Sequence, residues 1–230
     1  MAQKNQPLKW PAQTNNWSKG FELFCKTVFR YYCKLSVYGL DNLPKKPFLI
    51  CSNHSSHIDS ALLMVAAKLP FSQTGLIAAK DYFFDQADKG YLQYLMNLVP
   101  IERKSGTKGL MESINICKQF LQQDQKALII YPEGTRSNTG KISKFKEGAI
   151  IMANELQIPI VPAYIHNANK ALPKGSYIIR PTSISVSFAK PIFLETKEDR
   201  KELFAYYKTM ALELQNTVES LRNELHDAKK

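Results

Sequence analysis

The densest run of reactive side chains is Cys51-Ser52-Asn53-His54-Ser55-Ser56-His57-Ile58-Asp59, between the apolar segments Phe48-Leu49-Ile50 and Ala61 to Ala67. Polar groups placed beside a core are costly unless they are hydrogen-bonded. A chain turning from strand to helix between His54 and Asp59 would let the carboxylate return to the imidazole. The carboxylate would then hold one tautomer and stabilise the imidazolium, leaving the second ring nitrogen as a general base. That spacing alone also arises by chance, and the same run leaves other chemistry open. His54, His57 and Asp59 are ligand types for zinc, although no further ligand is evident. Ser55 or Ser56 could serve as a nucleophile with histidine as base, but the chain has no Gly-x-Ser-x-Gly elbow. Cys51 reads as core.

A second polar run, Pro132-Glu133-Gly134-Thr135-Arg136-Ser137, follows the apolar segment Ala127 to Tyr131. Gly134 permits an unusual turn that exposes amides, Thr135 and Ser137 add hydroxyls, and Arg136 is a permanently charged fork suited to phosphate. Lys80 and Glu102-Arg103 end two further apolar segments, Leu76 to Ala79 and Leu98 to Ile101. Individually these cations read as solvated surface charges; together at equivalent strand ends they read as an anion pocket. A general base beside an anion pocket suits activation of a hydroxyl on a phosphorylated substrate.

The elements that must position these residues alternate. Strands are expected at Phe48–Ser52, Leu76–Ala79, Leu98–Ile101, Ala127–Tyr131, Ile158–Ile165, Ser176–Ile179 and Ser183–Phe188. Helices are expected at about 19–37, 58–69, 82–95, 109–121, 146–156 and 198–226, from apolar recurrence at three- and four-residue steps and from closing prolines such as Pro70. Alternation of this kind indicates an α/β fold with its sheet buried between helices, and such folds build their sites just beyond strand ends. The first helix carries Phe21, Phe24, Val28, Tyr31, Tyr32 and Leu35 as an apolar stripe, with Lys26, Arg30 and Lys34 along another face. It can cover the core or lie on an anionic membrane.

Composition narrows the class. The 230 residues carry a net charge of +11, which favours an anionic partner. Cys25, Cys33, Cys51 and Cys117 are scattered without a Cys-x-x-Cys pair, so a reducing compartment fits better than a disulfide framework. Neither a signal-peptide core nor a run of about 18 apolar residues is present. Nucleic-acid binding is disfavoured, because the basic residues form no helix-turn-helix or RNA-binding aromatic signature.

Asn53 to Asp59 resembles the NHxxxxD motif of the glycerolipid acyltransferases, and Tyr131 to Ser137 resembles their (F/Y)PEGTRS block at a similar spacing. Val99-Pro100-Ile101-Glu102-Arg103, Ile160-Val161-Pro162-Ala163 and Phe145-Lys146-Glu147-Gly148 resemble further blocks, so the likeness runs from about Val37 to Phe188. Asn97 and Pro100 depart from the glycine and phenylalanine often found in the second block, and His57 is uncommon in the first. The resemblance implies a mixed, largely parallel sheet flanked by helices, glycerol-3-phosphate acyltransferase-like, with an N-terminal amphipathic helix. The implied organisation is a flexible lead (1–18), a membrane-surface helix (19–38), an acyltransferase catalytic domain (39–190) and a helical extension (191–230). It further implies transfer of an acyl group from acyl-CoA or acyl-carrier protein to lysophosphatidic acid or another lysolipid, such as a lyso-ornithine lipid, with no metal and no bound cofactor. His54 would be the base and Asp59 its partner, while Lys80, Arg103, Glu133, Gly134, Thr135 and Arg136 would hold the acceptor. Such an enzyme, of bacterial type, would sit peripherally or monotopically on the cytoplasmic side of the cell membrane.

Overall fold

The computed structural model describes residues 15–80, 92–102, 106–123, 125–137, 139–195, 197 and 199–227. Arg103, most of the expected 82–95 helix and the first fourteen residues lie outside the described residues.

Among the described residues seven strands form one sheet: β1 (Ser36–Tyr38), β2 (Phe48–Ser52), β3 (Thr74–Ala79), β4 (Asn97–Ile101), β5 (Ala127–Ile130), β6 (Ile160–His166) and β7 (Ser185–Phe188). Their order is β1-β7-β6-β2-β5-β3-β4. Every pairing is parallel except β6 with β7. The α/β fold expected from the alternation, and the mixed, largely parallel sheet implied by the resemblance, are therefore present. Such a sheet buries both faces, which explains why β2 and β5 read as continuous apolar runs rather than alternating ones. Successive β2 residues divide between two cores: Phe48 and Ile50 face one, Leu49 and Cys51 the other.

The first core is covered by α1 (Asn16–Thr27), which continues through a π-turn at Val28–Tyr32, and by α2 (Asp59–Ala66). The other helices are α3 (Leu92–Leu95), α4 (Gly106–Leu121), α5 (Gly148–Leu156), α6 (Ala168–Ala171) and α7 (Arg200–Asp227). Of these, α4, α5 and α7 cover the second core. Each wholly buried Leu or Ile, such as Leu62 or Ile150, contributes about 1.5–3 kcal/mol, so the strand ends stand on a stiff base.

Four expectations need correction. The helix expected to run to Val37 ends at Tyr32, because Lys34 takes a left-handed backbone (φ 43°) and Ser36–Tyr38 joins the sheet beside Ser185–Ser187. Part of the proposed 19–38 segment thus belongs to the sheet. The apolar stripe is also split: Phe21 and Val28 pack inward with Cys25 and Phe29, whereas Phe24, Tyr31 and Tyr32 face outward. Ser176–Ile179 is not a strand but part of a loop closed by the Arg180 amide donating to the Ala171 carbonyl (2.8 Å). Finally, α1 begins at Asn16 and buries Ser18, so residues 16–18 belong to the helix and not to the flexible lead expected over 1–18; α7, whose packing the sequence leaves open, buries Tyr207, Ala211, Leu214, Val218 and Leu225 in the second core.

Candidate active site

Because β2, β5, β3 and β4 are adjacent and parallel, their C-terminal ends share one edge of the sheet. The expected convergence of Asn53–Asp59, Lys80, Glu102 and Glu133–Ser137 at that edge is a direct consequence. The neighbours β2 and β5 bring the two polar runs together.

His54 Nδ1 lies 2.9 Å from Asp59 Oδ2. A carboxylate can only accept, so Nδ1 carries the proton and Nε2 keeps its lone pair. The same Oδ2 accepts from the Ser55 and Ser56 amides at 2.7 and 2.8 Å. Asp59 is fully buried at the start of α2, where the helix N-terminus favours negative charge. The side chain of His54 is 20% exposed, and among the described residues its Nε2 has no hydrogen-bond partner. The ring is therefore held through Nδ1 and open at Nε2.

The backbone of His54 is clamped by the second polar run. Its amide donates to Glu133 Oε1 at 2.7 Å, and its carbonyl accepts from the Ser137 amide at 2.8 Å. Glu133 Oε2 accepts from the Ser143 amide at 2.8 Å. Glu133 was expected to contact the acceptor; in the structure it is only 4% exposed and both its oxygens accept from backbone amides, an arrangement that holds the loop. Burial pushes its carboxyl above the usual range, while the amides of Ser143 and His54 draw it back. Glu133→Gln would turn an amide NH2 towards one backbone donor, leaving a mismatch that costs about 1–3 kcal/mol. We expect kcat to fall with KM for the acceptor little changed; a rise in KM alone would return Glu133 to substrate binding.

Three positions lie in the quoted runs, but their roles escaped the sequence reading. The Tyr131 ring stacks on His54, with centroids 3.9 Å apart and planes 11° apart, and its hydroxyl pairs with Ser60 Oγ at 2.9 Å. Burial first, then the Asp59 charge, raises the Tyr131 phenol well above its ordinary value, so it stays neutral beside the imidazole. Asn53 exchanges two hydrogen bonds with the Ile165 backbone, its Nδ2 donating at 3.0 Å and its Oδ1 accepting at 2.8 Å. This extends the β2–β6 pairing beyond Ser52 and fixes where the His54 loop departs. An amide side chain directly after a strand was the available signal. The third is Lys146: a Cβ added to Gly134, whose φ is +74°, would lie 3.1 Å from its ammonium. Gly134 thus allows both the left-handed turn and the approach of a cation to the loop.

The other candidates fall into place around this pair. Thr135 is exposed and Arg136 half-buried on the same loop. Lys80 stands two strands away, 4.0 Å from Glu102 in an exposed ion pair. His57 is exposed, and among the described residues no three His, Cys, Asp or Glu side chains gather closely enough to hold a metal ion. Ser56 Oγ donates to the Leu172 carbonyl at 2.8 Å, and Ser55 is buried with its amide on Asp59, which removes geometric support from a serine nucleophile. Cys51 is buried as expected, its thiol raised far above its ordinary value by desolvation.

A family model described as Acyltransferase matches residues 34–166, more than half of the chain and including both polar runs. This chain belongs to the acyltransferase family. Among relatives, it is 33% identical over 167 residues to a 1-acyl-sn-glycerol-3-phosphate acyltransferase of Cocos nucifera, covering 73% of this chain and 52% of the relative. It is 28% identical over 165 residues to the protein of that name from Limnanthes alba, covering 72% and 57%. The chain thus spans about half the length of the curated relatives it matches first. The solved structure of the 1-acyl-sn-glycerophosphate (LPA) acyltransferase PlsC from Thermotoga maritima superimposes with a TM-score of 0.64 at 25% identity, covering 89% of this chain and 79% of that one. The acyltransferase fold expected from the motifs is the fold observed.

Proposed function

We propose that this chain transfers a fatty acyl group from a thioester donor, acyl-CoA or acyl-carrier protein, to the sn-2 hydroxyl of 1-acylglycerol-3-phosphate, giving phosphatidic acid. The observation that carries the proposal is the open Nε2 of a His54 anchored through Nδ1 to buried Asp59, one strand from the Gly134–Arg136 loop. The names of the relatives point to the same acceptor. Nε2 takes the hydroxyl proton as the oxygen attacks the thioester carbonyl; the C–O bond forms, the C–S bond breaks, and the imidazolium returns its proton to the leaving thiolate. Asp59 stabilises the transient imidazolium. Arg136, Thr135, the Gly134 turn and Lys146 bind the acceptor phosphate, with Lys80 contributing from β3. No step calls on a metal or a bound cofactor.

The acceptor lies in a membrane, and α1 has a face for one. Trp17, Phe24 and Tyr31 recur at seven-residue steps and point outward, Trp17 being 80% exposed and Tyr31 71%. Lys19, Arg30 and Lys34 are exposed on the same segment. No described helix is long and apolar enough to cross a membrane. The helix instead lies in the interface, its inner face on the core and its outer face among lipids, on the cytoplasmic side.

A panel of lysolipids offered to the purified protein with acyl-CoA or acyl-carrier protein tests this. Turnover of lysophosphatidate above that of uncharged-headgroup or ornithine lysolipids is expected. Turnover of a different lysolipid with none of lysophosphatidate would reassign the acceptor, and turnover of none would remove the enzymatic reading.

A further inference from the structure

The loop that replaces the expected strand at Ser176–Ile179 has no part in the chemistry above. It leaves the end of α6 and returns through the Arg180 amide bonded to the Ala171 carbonyl at 2.8 Å, so its base is stapled. Inside it, Pro173-Lys174-Gly175-Ser176 forms a β-turn closed by the Ser176 amide on the Pro173 carbonyl at 3.0 Å. Gly175, at φ +82°, takes the position in that turn that requires a left-handed backbone. The Ile178 amide reaches back to Ser176 Oγ at 3.3 Å. This is an ordered, self-bonded projection rather than a slack connection. At its tip Tyr177 is 99% exposed and Ile178 76%.

We propose that this loop is a second lipid-surface contact, which seats the catalytic motif on an anionic bilayer together with α1. Three observations favour a lipid surface as the occupant. The first is charge: no acidic residue occurs between Glu155 and Glu195, whereas Lys170, Lys174 and Arg180 flank the apolar tip. A tyrosine and an aliphatic residue between cations match the interface of an anionic bilayer. The second is continuity with α1. Ile179 packs on the core that α1 covers, and the chain beyond it bonds the end of the α1 segment, with the Ile184 amide on the Cys33 carbonyl at 3.1 Å and the Ser36 amide on the Ile184 carbonyl at 3.0 Å. The third is continuity with the site: Leu172, where the loop begins, accepts from Ser56 Oγ, two residues from His54. The loop therefore joins the catalytic turn to the membrane helix, so inserting its tip fixes the height of His54 above the surface from which the acceptor is drawn. The inference rests on a lipid acceptor, but its test reads membrane contact without turnover.

Ile178→Cys, made in the full chain, carries an environment-sensitive fluorophore; the four native cysteines are buried and leave the new thiol as the reactive one. With vesicles of mixed phosphatidylcholine and phosphatidylglycerol, the emission should move to shorter wavelength and be quenched by lipids brominated along the acyl chain. Binding through α1 alone would leave the label in water and the emission unchanged, which overturns the proposal. A shift on raising protein concentration without vesicles would mean that a second copy covers the loop, and overturns it equally. In flotation with the same vesicles, Tyr177→Ser combined with Ile178→Ser should weaken binding about five-fold or more. Both side chains are exposed, so the fold is retained; undiminished flotation of the double variant would also reject the contact.

Discussion

Replacing His54 by alanine should lower kcat by about 10²–10⁴-fold, the range over which a positioned general base acts. The acceptor KM should change little, because the groups proposed to bind its phosphate sit on the Gly134–Arg136 loop and on Lys146 rather than on the ring. The loop itself should persist. The backbone bonds that clamp residue 54, its amide to Glu133 and its carbonyl from Ser137, do not involve the imidazole. Asp59 loses one donor but keeps the Ser55 and Ser56 amides. A charge-assisted hydrogen bond contributes about 1.5–3 kcal/mol and a ring stack such as that of His54 on Tyr131 about 0.5–1.5 kcal/mol, so their sum is the ceiling on the fall in unfolding free energy. Flotation with anionic vesicles should match the parent, since α1 is untouched. Activity within about ten-fold of the parent would exclude His54 as the base. Loss of vesicle binding in step with activity would show that the fold, not the chemistry, had been removed.

Much of this site was legible in the sequence because strand ends are legible. An apolar run followed abruptly by Asn-His-Ser-Ser-His-Ile-Asp or by Pro-Glu-Gly-Thr-Arg-Ser reads as a buried strand reaching an edge, and the order of the sheet brings β2 and β5 side by side. The roles within those runs were less legible. Glu133 looked like a ligand for the acceptor, and only the fold shows two backbone amides on its oxygens. Tyr131 looked like the last residue of an apolar strand; its stacking depends on how β5 lies against the catalytic turn. The helix stripe misled because α1 is apolar on two sides, one for the core and one outward, and periodicity alone does not say which side is buried. Strand 176–179 was misread for a related reason: four residues rich in Tyr and Ile have the composition of a strand, but among the described residues no strand pairs with them.

The sharpest division between charge and geometry lies at Asp59. Only Oδ2 is used, accepting from His54 Nδ1, Ser55 N and Ser56 N, while buried Oδ1 accepts from no described residue. Asp59→Asn can therefore place its carbonyl oxygen where Oδ2 stands and keep all three bonds, with its NH2 at the position that no donor occupies. The histidine tautomer and the turn are preserved. A buried NH2 without a partner costs about 1–3 kcal/mol, offset by removal of a buried charge, so the unfolding midpoint should stay close to the parent's. What disappears is the negative charge beside the imidazole that becomes positive in the proposed transfer. Stabilisation of that cation is lost, and kcat should drop about 10²–10⁴-fold. Asp59→Ala should behave differently: three donors lose their acceptor at about 1–3 kcal/mol each, and stability falls together with activity. Thermal unfolding and steady-state kinetics on the two variants separate the contributions. An asparagine variant as active as the parent would mean that Asp59 only shapes the turn and that no imidazolium forms during transfer.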